Sequence, residues 1–403
     1  MIAGIFWICV LLILYTYALY PALLWLFARI FPAPIATPAQ DSQFLPTVTL
    51  LISAYNEEAV IARKLENSLM LDYPQEKLQI LVAVDGQEDN TKAIVDSYAS
   101  RGVELSFSPQ RTGKINAIHR AILAARADII VLTDANTYFE QPALRRLVAP
   151  LADPSVGAVS GAKVIASQGD SLAHSEGLYW KYESFIKKQE SRLGSCTGVC
   201  GEIFALRIDL FEPPPPRVIN DDFYIAMQIL RKGYRVVYTP NALTVEKMSL
   251  SANDEGVRRA RIVAGRYQAL WMGTRILPLK QPGLIWQVVS HKFMRPLVPF
   301  AMLGALLANL IAVIFPVNAT ATPLLRLAGP IAWICLLLQA AFYCLALWGI
   351  LKPQSDHGIT VVEKILYLPA FFVNSNLAAV TGLVMYLAGR QTNLWQRVAR
   401  RED

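Results

Sequence analysis

An apolar run near the middle of the chain ends on an aspartate and an asparagine. The run, DIIVLTDANTYF, covers residues 128–139, and its polar end is Asp134-Ala135-Asn136. Continuous Ile, Val and Leu residues after a helical stretch predict a buried parallel strand, and ligands gather beyond the carboxyl ends of such strands. The side-chain oxygens of Asp134 and Asn136 would suit a hard divalent cation that also contacts phosphates. The alternative is a turn that only caps the next helix.

A second candidate is a pair of adjacent carboxylates, Asp221 and Asp222. They lie in VINDDFYIAMQILRKGYRVVY, after four prolines at positions 213–216 that must form an extended segment. Asn220 is predicted to cap a helix that begins at Asp221-Asp222 and ends at Gly233. Carboxylates at a helix start complement its dipole, so capping alone is the alternative to a chemical role.

Two groups of basic residues could contact phosphate. Lys114 follows Arg111-Thr112-Gly113 and is either a phosphate or sugar contact or a solvated lysine at a helix start. The second group lies around Gly265 in RRARIVAGR and consists of Arg258, Arg259, Arg261 and Arg266. Such arginines either grip phosphate with two hydrogen bonds or lie against lipid headgroups.

The first half of the chain alternates between strand and helix. The predicted strands are 47–53, 79–84, 103–107 and 128–133, and Glu57 and Glu58 are predicted to begin the first helix. This alternation is typical of a parallel sheet with crossover helices. The first strand is followed by AYNEE rather than GxGxxG, and Gly113-Lys114 lacks the other P-loop residues. Dinucleotide-binding and P-loop motifs are therefore excluded.

Beyond residue 139 the alternation is less regular. The pattern predicts a helix over 142–151, a long amphipathic stretch over 171–192 and a last strand over 234–238. Gly194, Gly198 and Gly201 surround Thr197 and Cys200. Glycines at this density permit close backbone approach, which is typical of a loop that lines a pocket.

The composition places part of the chain in a membrane. Its 403 residues are 54% hydrophobic and 17% charged, and the apolar excess lies at the two ends. Four stretches near the length of a bilayer span contain no Asp, Glu, Lys or Arg: 2–28, 297–316, 329–351 and 365–388. One central charge would cost about 3 kcal/mol, so this absence predicts four membrane segments around one globular domain. A cleaved signal peptide fits the first stretch poorly, because no basic residue precedes it and it is too long.

The distribution of positive charge predicts that the domain faces the cytoplasm and the amino terminus faces outward. Four crossings would then put four arginines of the carboxyl-terminal tail outside, against the same rule: Arg390, Arg397, Arg400 and Arg401. Either the stretch 365–388, which contains Asn374-Ser375-Asn376, is re-entrant, or another stretch does not fully cross.

The net charge of +7 fits a protein that meets anionic lipid or nucleotide phosphates. No compact basic helix or zinc-finger spacing points to nucleic acid, which we do not expect as a partner. Cys196 and Cys200 flank Thr-Gly-Val, but no other cysteine or histidine completes a zinc site. Thiols in the cytoplasm usually stay reduced, so we expect no disulfide.

Taken together, these motifs resemble those of a membrane-integrated family 2 glycosyltransferase of the exopolysaccharide or poly-N-acetylglucosamine synthase type. The resemblance covers nearly the whole chain. It implies an α/β fold, namely a GT-A, Rossmann-like nucleotide-diphospho-sugar transferase domain flanked by transmembrane α-helices. AYNEE then places Ala54, Tyr55 and Glu57 near the uridine. Asp85 of VAVDG would address the base, and Lys114 of GKINAI would lie near the donor.

In the same resemblance Asp134-Ala135-Asn136 stands in the place of the metal-binding DxD motif. It implies a Mg²⁺ or Mn²⁺ ion at Asp134 and Asn136, with the neutral Asn136 as the weaker ligand. NDDFYIAMQI resembles the segment that carries the catalytic base, with Asp222 at the matching position and Asp221 beside it.

RRARI occupies the place where processive polymer synthases carry QxxRW. Arg261 keeps the matching arginine, whereas Arg258 replaces the Gln and Ile262 replaces the Trp. Arg258 and Arg261 are therefore expected at the donor site. The missing Trp is a departure from the family members that make long polymers.

The resemblance implies inverting, metal-dependent transfer of a sugar from a nucleotide-diphospho-sugar, with a UDP-sugar as the expected donor. One base takes the proton of the acceptor hydroxyl while the charge of the leaving diphosphate is neutralised. The expected partners are the donor, a glycan or lipid-linked acceptor, the lipid bilayer and polysaccharide-secretion proteins. The expected location is a bacterial inner membrane. The alternatives are a processive synthase that also translocates its polymer and a catalytically silent scaffold of a secretion complex.

The expected domain organisation follows the same order along the chain. The predicted segments are a membrane helix (1–31), a linker (32–46), a cytoplasmic GT-A domain (47–276), an amphipathic interfacial segment (277–296), membrane helices (297–390) and a basic tail (391–403).

Overall fold

The computed structural model describes residues 1–35, 44–86, 88–166, 171–247, 252–317, 322–351 and 361–389. Its centre is one eight-stranded sheet in the order β3-β2-β1-β4-β7-β6-β8-β5. The strands are β1 (Val48–Ala54), β2 (Leu78–Asp85), β3 (Val103–Ser108), β4 (Ile129–Asp134), β5 (Thr137–Phe139), β6 (Val156–Ala166), β7 (Phe204–Arg207) and β8 (Arg235–Lys247). Strands β1 to β4 are parallel, whereas β7 runs antiparallel between β4 and β6.

The helices cover both faces of the sheet and both ends of the chain. They are α1 (Ile2–Leu14), α2 (Tyr20–Ile30), α3 (Ile61–Leu69), α4 (Thr91–Ser97), α5 (Lys114–Ile122), α6 (Ala143–Val148), α7 (Ser171–Leu193), α8 (Asp221–Arg231), α9 (Ala252–Met272), α10 (Pro282–Val288), α11 (Val298–Ile314), α12 (Gly329–Leu351) and α13 (Val361–Leu387). Two π-helical turns join α1 to α2 and extend α10: Tyr15–Leu19 and Val289–Phe293. Short 3-10 turns lie at Gln75–Lys77, Ala99–Arg101, Ala149–Ala152, Ile208–Leu210, Gly273–Arg275 and Arg295–Leu297.

The parallel half of the sheet forms because its strands are apolar on both faces. Every residue of β1 is buried. Leu50 and Ile52 belong to the apolar cluster on one face, where α3 contributes Leu65. Leu51 belongs to the cluster on the other face, where α5 contributes Ile118. Burial on both faces is the arrangement expected of parallel strands, and the predicted α/β sheet is confirmed.

The structure differs from the sequence prediction at two places near the site. The first helix begins at Ile61 rather than at Glu57-Glu58, because the chain turns at Asn56 with a left-handed φ of 53°. The carbonyl of Glu57 then accepts hydrogen bonds from the N–H groups of Val60 and Ile61. The last strand continues to Lys247 rather than ending near residue 238, because it pairs with β6 along its length and with β5 near its end.

The first helical segment contacts two different parts of the molecule. Near its start Phe6 packs with Ala305 and Ala308 of α11. Further on, Tyr20 and Leu24 pack against Ile186 of α7, which belongs to the central domain. The first part of this segment therefore packs on another apolar helix, and the later part packs on the central domain.

The predicted interfacial segment, 277–296, carries buried polar groups. His291 is fully buried, with Nδ1 2.8 Å from Glu190 Oε1 and Nε2 3.2 Å from Glu183 Oε2. The guanidinium of Arg295 also bonds Glu183. Burial alone would raise the pKa of Glu190, but His291 and the hydrogen bonds at this carboxyl hold that pKa below its usual range. The polar side of this segment therefore packs against α7.

Four helical segments in the described part of the chain are long and apolar enough to cross a membrane: Ile2–Ile30, Pro282–Ile314, Gly329–Leu351 and Leu368–Leu387. The last of these packs closely on α9. A Cβ atom at Gly382 would lie 2.7 Å from the backbone oxygen of Ala260, and Arg259 donates to the hydroxyl of Ser375 at 3.5 Å. The basic tail (391–403) lies outside the described residues.

Removal of one hydroxyl tests how the first segment is held on the domain. The Tyr20 hydroxyl donates to Glu190 Oε1 at 2.7 Å in a buried environment. Tyr20→Phe should destabilise the protein by about 1–2 kcal/mol, because a buried charged acceptor loses a partner. We expect the melting temperature in detergent to fall by roughly 2–4 °C. Tyr343→Phe, on a ring that packs edge-on against Phe342, is the control. Equal melting temperatures for both variants would contradict this account.

Candidate functional site

The polar residues of the site lie where three parallel strands end together. In the sheet register Ser53 of β1 is opposite Asp134 of β4, and Ala54 is opposite Val84 of β2. Asp85 is the last residue of β2. The carboxyl edge of the sheet therefore presents Ala54, Asp85 and Asp134 side by side, as the sequence predicts.

One pocket at this edge is lined by four of the predicted residues. Its lining consists of Ser53, Ala54, Tyr55, Ala83, Asp85, Arg111, Gly113, Lys114 and Ala117. The guanidinium of Arg111 lies 3.8 Å from the centre of the Tyr55 ring. The Tyr55 hydroxyl donates to Glu88 Oε2 at 2.6 Å, which fixes the ring. A flat cationic group stacked on an aromatic ring is a surface suited to a planar base.

Asp85 holds the loop that carries Lys114. Its carboxylate accepts hydrogen bonds from the Thr112 N–H at 2.9 Å, the Thr112 hydroxyl at 2.8 Å and the Gly113 N–H at 2.6 Å. Gly113 has a φ of 94°, a conformation that glycine adopts without strain, and helix α5 begins at the next residue. Asp85 and Gly113 together thus aim Lys114 across the cleft.

Lys114 and Asp134 form an ion pair with Nζ 2.6 Å from Oδ1. The Ser53 hydroxyl donates to the same oxygen at 3.2 Å. Burial lowers the pKa of Lys114, but the charges of Asp134 and Asp221 outweigh it and raise that pKa above its usual value. Lys114 is therefore a permanent positive charge between β4 and the start of α8.

Lys114 also interacts electrostatically with Asp222. Burial and the neighbouring charge of Asp221 raise the pKa of Asp222 to about 6, although Lys114 acts in the opposite direction. The Phe223 N–H donates to Asp222 Oδ1 at 2.7 Å. Gly201 lies against this side chain, since a Cβ there would be 3.3 Å from Oδ2. Asp134 and Asp222 therefore both interact with the charge of Lys114.

A buried ionic group supports the loop beside Asp222. Lys163 is 3.0 Å from Glu202 Oε1 and also contacts Glu246. The thiol of Cys200 donates to Glu202 Oε2 at 2.8 Å. Burial would raise the pKa of Glu202, but Lys163, the thiol and Arg258 lower it well below its usual range. Arg258 is thus near Glu202, and its predicted place at the donor site stays a prediction.

Asn220 has a different role from the predicted one. It is the N-cap residue of α8, yet its side chain makes no cap hydrogen bond. Its amide instead donates to the backbone oxygen of Ile262 at 2.9 Å, because Gly265 leaves room for the side chain against α9. Asn220 therefore fixes the start of α8 relative to α9. Arg261 is exposed on α9, so the structure does not bring it into the buried cluster.

Asp134 and Asn136 carry oxygen atoms of the kind that bind a divalent cation. Asn136 Oδ1 is buried and has no hydrogen-bond partner in the described part of the chain. An orphaned buried oxygen two residues from a carboxylate fits a ligand atom of a cation. Within the described residues no group of three or more His, Cys, Asp or Glu side chains could hold a metal ion. These residues therefore fit a cation that takes its other ligands from phosphate and water.

The comparison with known families decides the identity of this domain. The glycosyl transferase family 2 model matches residues 49–213, which contain the stacked Tyr55–Arg111 pair and the Lys114–Asp134 ion pair. The chain carries a family 2 glycosyltransferase domain. The predicted family and enzyme class are confirmed.

Several curated proteins are similar to this chain. An N-acetylglucosaminyltransferase of Rhizobium meliloti is 28% identical over 54% of this chain and 55% of its own length. A beta-monoglucosyldiacylglycerol synthase of Synechocystis is 26% identical over 73% of this chain and 63% of its own. A poly-beta-1,6-N-acetyl-D-glucosamine synthase of Staphylococcus aureus is 27% identical over 49% of each chain. The chain thus spans between 49% and 63% of the length of these relatives.

A solved structure shows the fold of the chain. The mannosyltransferase PcManGT from Pyrobaculum calidifontis, in complex with GDP-Man and Mn²⁺, superposes with a TM-score of 0.70 at 22% identity. The match covers 97% of this chain and 100% of the other. The predicted GT-A fold with its accompanying apolar helices is confirmed.

Some residues that complete the site were not predicted from the sequence. Arg111 lines the pocket but was not among the predicted site residues. Its position three residues before Lys114, in the same loop, could have indicated a role at the site. Glu88 and Glu202 are distant in sequence from the residues they hold, so no local pattern reveals them.

Glu57, predicted near the uridine, is buried, and its N–H donates to Thr91 at 2.8 Å.

Two glycines of α9 provide a matched test of the contact that fixes α8. A Cβ at Gly265 would lie 2.5 Å from Asn220 Nδ2, whereas Gly256 on the same helix has nothing within 4 Å. Gly265→Ala should displace Asn220 and Asp221-Asp222, lowering sugar transfer at least tenfold while the protein remains folded. Gly256→Ala should leave transfer unchanged. The rate is measured with whichever nucleotide-sugar the wild-type protein uses, and equal rates for both variants would contradict the assigned contact.

Proposed function

We propose that this glycosyltransferase moves a sugar, with inversion, from a nucleotide-diphospho-sugar to a glycan or lipid-linked acceptor during assembly of a cell-surface polysaccharide. The observation that carries the proposal is that the charge of Lys114 interacts with both Asp134 and Asp222, and we propose that these carboxyl groups face one cleft. Two of the curated relatives are named for transfer of N-acetylglucosamine or synthesis of its polymer, which supports the acceptor class.

The donor site is proposed at the carboxyl edge of β1, β2 and β4. The base would lie against the Tyr55 ring and Arg111, near Asp85, and the diphosphate would lie towards Lys114. Lys114 is charged at every working pH, so it can neutralise an oxygen of the departing diphosphate. We propose a UDP-sugar as donor, and a screen of UDP- and GDP-sugars against membrane fractions tests this choice.

Asp222 is proposed as the general base. Inversion needs one displacement, in which the acceptor oxygen attacks the anomeric carbon, the bond to the diphosphate breaks and one base takes the hydroxyl proton. A carboxyl group whose pKa is near 6 is largely ionised at neutral pH and is still a stronger base than an ordinary aspartate. Asp221 keeps this pKa raised by its adjacent charge.

Asp134 and Asn136 would hold Mg²⁺ or Mn²⁺. When bound there, the ion would supply charge neutralisation for the diphosphate. Within the protein, Ser53 and Lys114 both donate to Oδ1 of Asp134 and hold its carboxylate in place. Arg258 contributes a further positive charge at the same cleft through its interaction with Glu202. We propose the exposed Arg261 as a contact for the donor or acceptor as it enters.

The proposed location is a bacterial inner membrane, with the domain on the cytoplasmic side. The four apolar helical segments and the excess of Lys and Arg in the central part of the chain support it. A lipid-linked acceptor would then reach the cleft from the bilayer. Product analysis separates single-sugar transfer from the alternative of processive synthesis, since only the latter yields a ladder of long chains from one acceptor.

A single substitution tests the role of Asp222. Asp222→Asn keeps the size of the side chain and removes the base, so transfer should fall by a factor of about 10² to 10⁴. Asp209→Asn, at an exposed aspartate of a 3-10 turn, is the control and should retain full activity. Unchanged transfer in Asp222→Asn would reject the proposed base, and wild-type protein without transfer or donor hydrolysis would favour the scaffold alternative.

The dependence on pH tests the same carboxyl group independently. The base must be ionised, and the pKa of Asp222 is raised to about 6, so transfer should fall about tenfold per pH unit below that value and level off above it. Asp221→Asn removes the adjacent charge that raises this pKa. Its acid limb should therefore move to lower pH, whereas the limb of Asp209→Asn should match the wild type. An acid limb that stays in place in Asp221→Asn would contradict the assignment.

A further inference from the structure

A buried lysine lies directly beneath the turn that carries Asp134 and Asn136. Lys64, on α3, has no exposed surface. Its ammonium group donates to the Thr133 hydroxyl at 3.0 Å and to the backbone oxygen of Thr137 at 2.6 Å. The same group lies 4.6 Å from the centre of the Phe139 ring. Lys64 thus binds the residue before Asp134 and the residue after Asn136.

The two threonines complete a closed network around the turn. Their hydroxyl oxygens are 3.1 Å apart, and the Thr137 hydroxyl donates to the backbone oxygen of Asp134 at 3.1 Å. Both side chains are buried, at 2% and 0% exposure, so water does not compete with these bonds. The distance between the two ends of the turn is therefore set by Lys64 and the threonine pair.

The same helix holds the strand that follows the turn. Asn67, one helical turn after Lys64, donates to the backbone oxygen of Phe139 and accepts from its N–H, each at 2.9 Å. Residues three apart lie on one face of a helix. One face of α3 therefore fixes both the turn and β5, although α3 contributes no residue to the cleft itself.

A charge at this place has a cost that an apolar residue would avoid. A buried ammonium group loses its hydration, and only partners with good geometry compensate for that loss. Burial lowers the pKa of Lys64 to about 7, while the charge of Asp134 acts against it. A leucine or methionine would fill the same space without the cost, so packing alone does not account for the lysine.

We infer that Lys64 is a positioning residue for the proposed cation site, because through Thr133 and Thr137 it sets the spacing of the Asp134 carboxylate and the Asn136 oxygen. This inference rests on the proposed function. Asn136 Oδ1 has no hydrogen-bond partner in the described residues, so its position depends on the turn that carries it. Loosening the turn should therefore weaken the binding of the cation more than the binding of the nucleotide.

The test is a Mn²⁺ titration of the full-length protein in detergent, with UDP or GDP as the nucleotide, followed by calorimetry. Lys64→Met keeps the length of the side chain and removes its ammonium group. Mn²⁺ affinity in the nucleotide complex should fall about 10- to 100-fold, as for other residues that hold a metal ligand in place. Nucleotide affinity without Mn²⁺ should stay within about twofold of the wild type, a separation that a general loss of structure would not produce.

Two further variants keep the outcome decisive. Arg63→Met removes a positive charge from an exposed position on the same helix and should bind Mn²⁺ as the wild type does. Thr137→Val removes the bond to the Asp134 carbonyl, and a partial loss of Mn²⁺ affinity is expected even where Lys64→Met fails to fold. If Lys64→Met binds Mn²⁺ with wild-type affinity, the inference about Lys64 is overturned, while the proposed function is not affected. If Lys64→Met does not fold, wild-type Mn²⁺ affinity in Thr137→Val has the same consequence. Wild-type protein that transfers no sugar would overturn the proposed function instead.

Discussion

The common end point of β1, β2 and β4 is the constraint on which the cleft depends. Ser53 pairs with Asp134 and Ala54 with Val84, so a shift of β4 by one residue would turn Asp134 to the opposite face of the sheet. The register is fixed because apolar residues on both faces of these strands must be buried at once. The core of the sheet therefore decides how far Asp134 lies from the Tyr55 ring. The turn beyond β4 is held in addition from below, by the buried face of α3.

Charge balance sets the properties of the cleft once the strands are in place. Lys114 interacts electrostatically with Asp134, Asp221 and Asp222, while Lys163 neutralises Glu202. The pKa of Asp222 is raised to about 6. The loop beside Asp222 also reaches the first apolar helical segment. Glu190 accepts from the Thr197 N–H at 2.7 Å and from Tyr20, and Gly201 of the same loop touches Asp222. The first helical segment and the proposed base are thus joined through one loop.

The parallel half of the fold could be predicted because buried parallel strands are continuous apolar runs. The mixed half could not, since β5 and β7 are only three and four residues long and β8 is extended by its parallel pairing with β6. At the site, Tyr55, Asp85, Lys114 and Asp134 follow from local motifs at strand ends. Glu88, Glu202 and Lys64 do not, because their partners are set by tertiary packing. The segment 277–296 could not be placed from the sequence for the same reason. Its polar residues are visible in the sequence, but their partners Glu183 and Glu190 are about a hundred residues away.

The central claim is that Asp134 and Asp222 face a single bound nucleotide-sugar from two sides. A structure of the full-length protein with a donor and Mn²⁺, in which the anomalous signal of manganese is recorded, tests it most directly. The account predicts a manganese peak in contact with the Asp134 carboxylate, a diphosphate beside Lys114 and an anomeric carbon that faces Asp222. A nucleotide bound away from the carboxyl edge of β1, β2 and β4, or an anomeric carbon out of reach of Asp222, would contradict it.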